Sequence, residues 1–256
     1  MMRLTFLGTG TSNGVPTIGC ECDVCRSKDP KDKRLRCSLL VETENTRILI
    51  DCGPDFRQQI MPQPFKRIDG VLITHAHYDH IGGIDDLRPF SAFGNVDIYA
   101  NEQTGTEIRG FLPYCFSNNK YPNIPKLSLH PIEPHLELKI GNIKIIPIEV
   151  MHGKMPILGY RFDKFAYITD MKYIEDSELQ YLNNLELLIV NALRFTKEHH
   201  SHQLVDDAIN FAKRIQAKQT LIIHSSHHIG KHNDINKILP EGIKMAYDNQ
   251  IIEFNS

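Results

Sequence analysis

The sequence predicts a layered α/β sandwich, and three observations carry that prediction. Short apolar runs rich in β-branched residues recur along the chain, strands outnumber helices, and the early strands follow one another closely. Such closely spaced strands favour meander-like sheets with helices outside over a regular alternation of strand and helix. A chain of 256 residues with 41% hydrophobic residues can bury a core of this kind without disulfides. We expect a single domain over residues 1–256.

The predicted strands are bounded by glycine, proline, asparagine or charged residues, which is the usual strand signature. They cover residues 4–7, 38–41, 47–50, 70–74, 97–100, 143–150, 158–162, 165–169, 187–190, 220–223 and 250–254.

Helical periodicity is less frequent than strand patterning. The best case is residues 203–215, where apolar residues recur on one face and Ser201 lies near the start as a candidate cap. Weaker patterns predict helices over residues 55–61, 103–110, 174–182 and 233–239. Residues 111–126 are irregular and rich in proline, asparagine and aromatic residues, which predicts either a lid over a site or a surface excursion.

Composition and charge exclude several classes of function. The formal net charge is -2, so no overall basic field favours a long nucleic-acid footprint, whereas a small anionic substrate is compatible. The apolar run at the N-terminus is too short for a signal peptide, and no run reaches the ~20 residues of a membrane helix. We therefore expect a cytoplasmic protein without a membrane partner, whose 6 cysteines serve as metal ligands or as buried apolar residues.

The stretch ITHAHYDHIGG places His75, His77, Asp79 and His80 directly after the strand at residues 70–74. Alternate residues of an extended chain share a side, so His75 and His77 can aim at one point. Asp79 and His80 then turn toward a neighbouring point. Nitrogen and carboxylate ligands without sulfur suit a divalent ion such as Zn, Mn or Fe.

Three later strands each end in another candidate ligand, namely His152, Asp170 and His224. Ligands at the ends of separate strands are expected where a site lies at one edge of a sheet, so these three residues would complete two coordination spheres. Asp51, in LIDCGPD, also follows a strand. It predicts either an acceptor for the second N–H of a ligand histidine or a turn-forming residue before Gly53.

The segment GCECDVC gives Cys20, Cys22 and Cys25 the spacing of a metal knuckle, which predicts a structural zinc site. Three thiolates need a fourth ligand to close a tetrahedral site. The candidates are the histidines of HSSHHIGKH, namely His227, His228 and His232.

The stretch EHHSHQLVDDA, before the best predicted helix, offers a proton donor among His199, His200 and His202. A hydrolase that expels a poor leaving group needs a proton donor, so these histidines are candidates for a general acid. Arg194, in NALRF, is a candidate to hold a second phosphate or to form a surface ion pair.

The motif THAHYDH, with His152, Asp170 and His224, resembles the metallo-β-lactamase superfamily of dinuclear hydrolases. The resemblance implies a four-layer αββα sandwich. It also implies His75, His77 and His152 on one metal ion, Asp79, His80 and His224 on the other, and Asp170 bridging both. Tyr78 stands where redox-active diiron members carry an acidic residue, so diiron redox chemistry is not expected.

The segments LGTGTSNGVPTIGCECDVC, RLRCSLLVE, DCGPDFR and HSSH resemble the PhnP-type branch, which includes the phosphoribosyl cyclic phosphate phosphodiesterases. This resemblance implies two divalent ions, Zn or Mn, in the active site and one structural zinc ion whose fourth ligand is His227. In tRNA 3′-processing relatives a histidine lies six positions before an alanine of the following helix. The same relation to Ala208 implies His202 as the general acid, with His199 as the second candidate.

The function implied is hydrolysis of a small phosphodiester, cyclic or not, such as phosphoribosyl cyclic phosphate. Hydroxide would attack phosphorus, because metal coordination lowers the pKa of bound water to roughly 7. Asp79 and His202 would be the catalytic residues. Two divalent ions outweigh two carboxylates and a hydroxide, so the site would attract an anionic substrate.

Several alternatives to this function stay open. A tRNA 3′-end nuclease would need a basic protruding arm, and the sequence has no long insertion rich in lysine, arginine and glycine. The same hydroxide could attack a lactone or a thioester, and proteins of pyrroloquinoline-quinone biosynthesis B type suggest a non-enzymatic binding role. Homodimers are common in the family, but the sequence carries no interface signature.

Overall fold

In the computed structural model, which describes residues 1–116 and 124–254, two seven-stranded sheets face each other between outer layers of helices. This arrangement confirms the predicted layered α/β sandwich and the four-layer form that the family resemblance implies. The expectation that residues 1–256 form a single domain stays a prediction.

The strands are numbered β1 to β14 in chain order. Those of the first sheet are β1 (Met2–Gly8), β2 (Ser38–Glu42), β3 (Arg47–Ile50), β4 (Gly70–Leu72), β5 (Val96–Ala100), β6 (Leu127–Pro131) and β14 (Ile251–Phe254). Those of the second are β7 (Leu138–Ile140), β8 (Ile143–His152), β9 (Met155–Arg161), β10 (Phe165–Ile168), β11 (Leu187–Asn191), β12 (Gln219–Ile223) and β13 (Ile243–Met245). The spatial orders are β14-β1-β2-β3-β4-β5-β6 and β13-β12-β11-β10-β9-β8-β7.

Both sheets are antiparallel in one half and parallel in the other. Strands β1 to β3 and β7 to β10 form the expected meanders, and β14 is antiparallel to β1. Strands β3 to β6 and β10 to β13 pair in parallel. Strand β8 runs in the direction of β10, because each is antiparallel to β9. The carboxyl ends of β8, β10, β11 and β12 therefore lie at one edge of the second sheet.

The helices match the weaker sequence patterns closely. The α-helices are α1 (Phe56–Ile60), α2 (Tyr78–Ile81), α3 (Glu102–Phe111), α4 (Pro113–Phe116), α5 (Val205–Ile215) and α6 (His232–Ile238). Short 3-10 helices cover Pro30–Asp32, Ile84–Phe93, Asp176–Leu182 and His227–Ile229. The predicted helix over residues 174–182 is thus a 3-10 helix, and the helix over residues 203–215 is α5.

The start of α5 differs from the sequence prediction. Ser201 does not cap the helix; its hydroxyl lies 3.3 Å from Nδ1 of His199. The residue before the helix is Leu204, whose side chain has no polar atom. Asp207 reaches back instead, and its Oδ2 accepts a hydrogen bond of 2.9 Å from the Leu204 N–H. A carboxylate in the first turn satisfies one of the free backbone donors there.

Three strands, β6, β7 and β13, were not predicted, because each is short or half exposed. Strand β6 is an edge strand that contains Pro131, which a central strand would not tolerate. The irregular segment at 111–126 contributes the end of α3 and all of α4, whereas its residues 117–123 lie outside the described residues.

Apolar packing fills the space between the layers. One cluster, including Phe6, Tyr160 and Phe165, joins the inner faces of the two sheets. Two further clusters pack the outer face of each sheet against its helices. Burial of this kind supplies most of the stabilising free energy of a fold. Within the described residues, no helix is both long and apolar enough to cross a membrane.

Candidate metal centre

The seven histidines and aspartates singled out in the sequence meet at one edge of the two sheets. The first group consists of His75, which follows β4, His77, and His152 at the end of β8. The second group consists of Asp79 and His80 on α2, Asp170 after β10 and His224 after β12. Within each group the candidate ligand atoms all lie within 4.8 Å of one another.

Asp170 belongs to the second group and also connects it to the first, because it lies close to His152. Its Oδ1 is 3.1 Å from Nε2 of His224, and its Oδ2 is 3.2 Å from Nε2 of His80. The same carboxylate also forms a group with His152 and His202 whose candidate ligand atoms are within 4.8 Å of one another. The role of a bridging ligand, which the family resemblance implies for Asp170, stays a prediction.

The chemistry of these side chains fits divalent cations. Nε2 of His80 is buried without a hydrogen-bond partner, although the carboxylates of Asp79 and Asp170 lie beside it. Nε2 of His75 faces Nδ1 of His77 at 3.0 Å, so two imidazole nitrogens converge on one region. Buried polar atoms are normally satisfied, and a cation would satisfy converging lone pairs of nitrogen and oxygen.

The protonation states of four of these side chains also suit metal binding, whereas for His80 burial lowers the pKa but the carboxylates of Asp79, Asp51 and Asp170 outweigh it and raise the pKa well above its ordinary value. Burial holds the pKa of His75 well below its ordinary value and lowers that of His152, so both rings are neutral, as a ligand must be. Burial raises the pKa of Asp79, but His80 and His224 outweigh it, and the net pKa is lower than usual. The pKa of Asp170 is likewise held well below its ordinary value, because His224 and His80 outweigh burial. Both carboxylates are therefore ionised.

Asp51 lies where an acceptor for a ligand histidine is expected, and its part in metal binding stays a prediction. Its Oδ2 accepts a hydrogen bond of 2.7 Å from Nδ1 of His80, and its Oδ1 accepts one of 2.9 Å from the Thr74 N–H. Nδ1 of His152 donates in the same way to the backbone oxygen of Asp170 at 2.7 Å. Such bonds fix the orientation of a ligand ring and leave its other nitrogen for the metal.

Two threonines were missed by the sequence reasoning. The hydroxyl of Thr74 lies 3.0 Å from Asp51 Oδ2 and 3.0 Å from Nδ1 of His75. The hydroxyl of Thr169 donates to Asp170 Oδ2 at 2.6 Å. The signal that could have identified them is the shared pair Ile-Thr directly before a candidate ligand in two separate strands.

Three residues at the same edge have strained backbone conformations. Asp51, Asp170 and His224 have φ angles of 58°, 56° and 53°, in the left-handed region that non-glycine residues rarely adopt. Conformations of this kind persist where the surrounding structure enforces them, and they cluster at functional sites.

Close backbone contact holds α2 against the segment after β3. A Cβ atom at Gly83 would collide with the carbonyl oxygen of Gly53, and one at Gly53 would collide with the carbonyl oxygen of Asp79. Only glycine fits at these two positions. This packing places Asp79 and His80 beside Asp51.

His202 lies against the centre, directly before α5. Its ring centroid is 4.7 Å from that of His152 and 4.8 Å from that of His224, and its Nδ1 is 3.6 Å from Asp170 Oδ1. Burial lowers the pKa of His202 to about 3. The ring centroid of His199 is 4.8 Å from that of His202. The structure thus brings His202 to the site, while its role as a proton donor stays a prediction.

The second cluster joins the N-terminal loop to the segment after β12. The candidate ligand atoms of Cys20, Cys22, Cys25 and His227 lie within 4.8 Å of one another. Nδ1 of His227 is 3.4 Å from Sγ of Cys20 and 3.3 Å from Sγ of Cys22. The fourth member of this cluster is therefore His227, and His232 lies instead beside Arg34.

The pKa values of two cysteines in this cluster are shifted in opposite directions. The backbone N–H of Cys25 and the ring of His227 lower the pKa of Cys22 to about 6. Burial raises the pKa of Cys25 to about 11. A thiolate is the form that binds metal, so Cys22 is prepared for it in the metal-free protein. Cys37, Cys52 and Cys115 are buried elsewhere, as expected.

Comparisons with known proteins agree with this geometry. A family model described as "Beta-lactamase superfamily domain" matches residues 46–225. A Porphyromonas gingivalis W83 protein named octanoyltransferase is 44% identical over 248 residues, which are 96% of this chain and 50% of that protein. The chain spans about half the length of the curated relatives that it matches first.

Two solved structures extend the comparison. The crystal structure of Zn²⁺-bound PqqB from Methylobacterium extorquens has a TM-score of 0.82 at 16% identity, covers 98% of this chain and 100% of that one, and shares the fold. A crystal structure described as a new diphosphatase from the PhnP family has a TM-score of 0.92 and 39% identity, and covers 100% of this chain and 98% of that one. The chain belongs to the β-lactamase superfamily and, within it, to the PhnP family.

Proposed function

We propose that the protein is a metal-dependent hydrolase that cleaves a P–O bond in a small phosphodiester, cyclic or not, or in a diphosphate. The observation that carries this proposal is the position of Asp170, which connects the two groups of histidine and aspartate, with His202 beside it. The diphosphatase relative supports a phosphorus-centred substrate.

Two divalent ions, Zn or Mn, fit these groups. His75, His77 and His152 would hold one, Asp79, His80 and His224 would hold the other, and Asp170 would contact both. The cysteine cluster with His227 would hold one structural zinc ion. When bound, the pair of ions supplies Lewis acidity and lowers the pKa of water to roughly 7.

The side chains of the chain itself position the reaction. Asp79 stays ionised and can accept a hydrogen bond from the attacking water, which orients it. His202 faces the neighbouring cavity, so its ring can give a proton to the leaving oxygen. Burial disfavours the protonated ring, whereas Asp170 favours it, and a bound anionic substrate would favour it further.

A second candidate is hydrolysis of an acyl ester or thioester, because the same nucleophile attacks a carbonyl carbon. The relative named octanoyltransferase favours it. That protein is about twice as long as the matched region, so its name can equally describe the half that this chain does not cover.

The test combines metal analysis with two substrates. Protein loaded with zinc or manganese is expected to hydrolyse bis-p-nitrophenyl phosphate, and Asp170→Asn is expected to lower kcat/KM at least about a hundredfold, since it removes a shared ligand. Asp206→Asn, which makes the same change at an exposed position of α5, is the matched control.

Octanoyl N-acetylcysteamine is the second substrate. Hydrolysis of the thioester alone would replace the proposal with the second candidate. Hydrolysis of neither substrate, nor of inorganic diphosphate, by protein with its full metal content would contradict an enzymatic role and favour a binding protein.

A further inference from the structure

A cavity of about 260 Å³ lies between the metal centre and the cysteine cluster. His202 forms part of one side and His227 part of the other, and the loop with Thr11 and Ser12 contributes hydroxyl groups. Among the described residues that line the cavity, none is an aspartate or a glutamate. A polar cavity of this composition favours an anion over a cation.

A positively charged side chain from the loop after β11 lines this cavity. Arg194 lines it, together with His199 and His228. An anion bound there would face one permanent cation and two rings able to donate hydrogen bonds.

One nitrogen of the Arg194 guanidinium, Nε, makes a hydrogen bond within the protein, and the two terminal amino groups do not bind a carboxylate of the described residues. Its Nε donates a hydrogen bond of 2.9 Å to the backbone oxygen of Lys197. Within residues 1–116 and 124–254, no carboxylate pairs with Arg194, so its terminal amino groups are available to a ligand. Arginine binds phosphate oxygens with two parallel donors, which gives both affinity and orientation.

We propose that this cavity binds a second phosphate group of the substrate, the one that is not cleaved, and that Arg194 selects substrates that carry it. The inference rests on the proposed function, because the first phosphate would lie at the metal centre. His202 borders both places, so a substrate with two phosphates separated by a short linker, such as a diphosphate or a sugar with an additional phosphate, can occupy them together.

The test uses binding, which does not depend on turnover. Zinc-loaded protein is titrated calorimetrically with methylenediphosphonate, which has two phosphonates and no P–O–P bond, and with methylphosphonate, which has one. The wild-type protein is expected to bind the diphosphonate at least about tenfold more tightly. Metal content is measured before and after each titration, since diphosphonates chelate metal ions.

Arg194→Gln is expected to lower the affinity for the diphosphonate about tenfold to a hundredfold, the range for hydrogen bonds to charged groups. The loss for methylphosphonate should be under about threefold. Arg194→Lys keeps the charge but not the two parallel donors, so it should be intermediate. Arg57→Gln, at an exposed position of α1 outside the cavity, should resemble the wild type.

Equal losses for both phosphonates in Arg194→Gln, or no loss for the diphosphonate, would overturn the inference. The expected binding pattern without hydrolysis of any phosphodiester or diphosphate would refute only the proposed function. Hydrolysis of bis-p-nitrophenyl phosphate with the wrong binding pattern would refute only the role of Arg194.

Discussion

Single buried hydrogen bonds orient the candidate metal ligands. The Asp51–His80 bond of 2.7 Å and the bond of the same length from His152 to the Asp170 carbonyl each occupy the ring nitrogen that faces away from the cluster. The other nitrogen of each ring is then left for a cation. Loss of one such partner should change metal affinity more than it changes the fold.

Asp51→Asn tests whether the hydrogen bond to His80 supports metal binding. The amide keeps the size of the side chain but removes the charge that holds the Nδ1–H of His80, so the affinity for one metal ion should fall about tenfold to a hundredfold. Competition with a chromophoric chelator measures it. Asp206→Asn is again the matched control, and an unchanged affinity in Asp51→Asn would show that this bond does not support the site.

His202→Ala tests the proton donor. The variant should lose about 10²–10⁴-fold in kcat on a phosphodiester with an alkoxide leaving group, and far less on bis-p-nitrophenyl phosphate, whose leaving group needs no proton. His200→Ala, an exposed neighbour, is the control. Equal losses on both substrates would remove His202 from this role.

Among the elements, α5 sets the position of the segment that carries His202. The helix packs Val205, Ala208, Phe211 and Ala212 against the outer face of the second sheet. Its first turn is closed by Asp207 rather than by a residue before the helix. The end of the loop with His199 and His202 is therefore fixed by apolar packing and by hydrogen bonds that include the one from the Leu204 N–H to Asp207.

Asp207→Ala should destabilise the protein by about 1 kcal/mol, the usual contribution of such a hydrogen bond. Urea denaturation measures the change. Asp206→Ala removes the adjacent carboxylate, which is also exposed in the first turn, so the difference between the two variants isolates the hydrogen bond from the helix dipole. Equal destabilisation would assign the effect to charge alone.

At the scale of the whole molecule, a buried polar network joins the N-terminal loop to the C-terminal segments. Arg34 is buried and donates to the hydroxyl of Thr9 at 2.8 Å and to the carbonyl of Ala246 at 2.7 Å. Asp248 accepts from Thr9 at 2.7 Å, and the N–H of His232 donates to Asp32 at 2.7 Å. This network anchors the chain on both sides of the loop that carries the cysteine cluster.

The pH dependence of stability should report on His232. Burial, then Arg34 and Lys31, lower its pKa to about 4, although Asp32 and Asp29 oppose the shift. The ordinary pKa of histidine is about 6.5, so the unfolded chain binds the proton more readily. The stabilising contribution is thus fully present above pH ~6.5 and is lost as the pH falls toward ~4.

His232→Gln should make the fall in unfolding free energy between pH ~6.5 and ~4 shallower than in the wild type. Urea denaturation at a series of pH values measures it. His200→Gln, at an exposed histidine, should keep the wild-type slope. A slope unchanged in His232→Gln would mean that its ring titrates alike in the folded and unfolded states.

Much of the fold and site could be predicted from local patterns. Alternation and bounding residues identified most strands, and the spacing of His75, His77, Asp79 and His80 placed four side chains without knowledge of the fold. The edge strand β6, with its half-exposed residues, gave no such pattern. The prediction that Ser201 caps α5 was wrong, because a serine near the start of a helix need not be the residue that directly precedes the helix.

The sequence by itself determined which side chains lie at the ends of the strands and which cysteines share a loop, because spacing along a few residues fixes direction in an extended or helical chain. Only the tertiary structure decided that Asp170 connects the two groups, that His227 and not His232 meets the cysteines, and that Arg194 shares a cavity with Thr11. These contacts join segments far apart in the chain, and their positions depend on how the two sheets pack against each other.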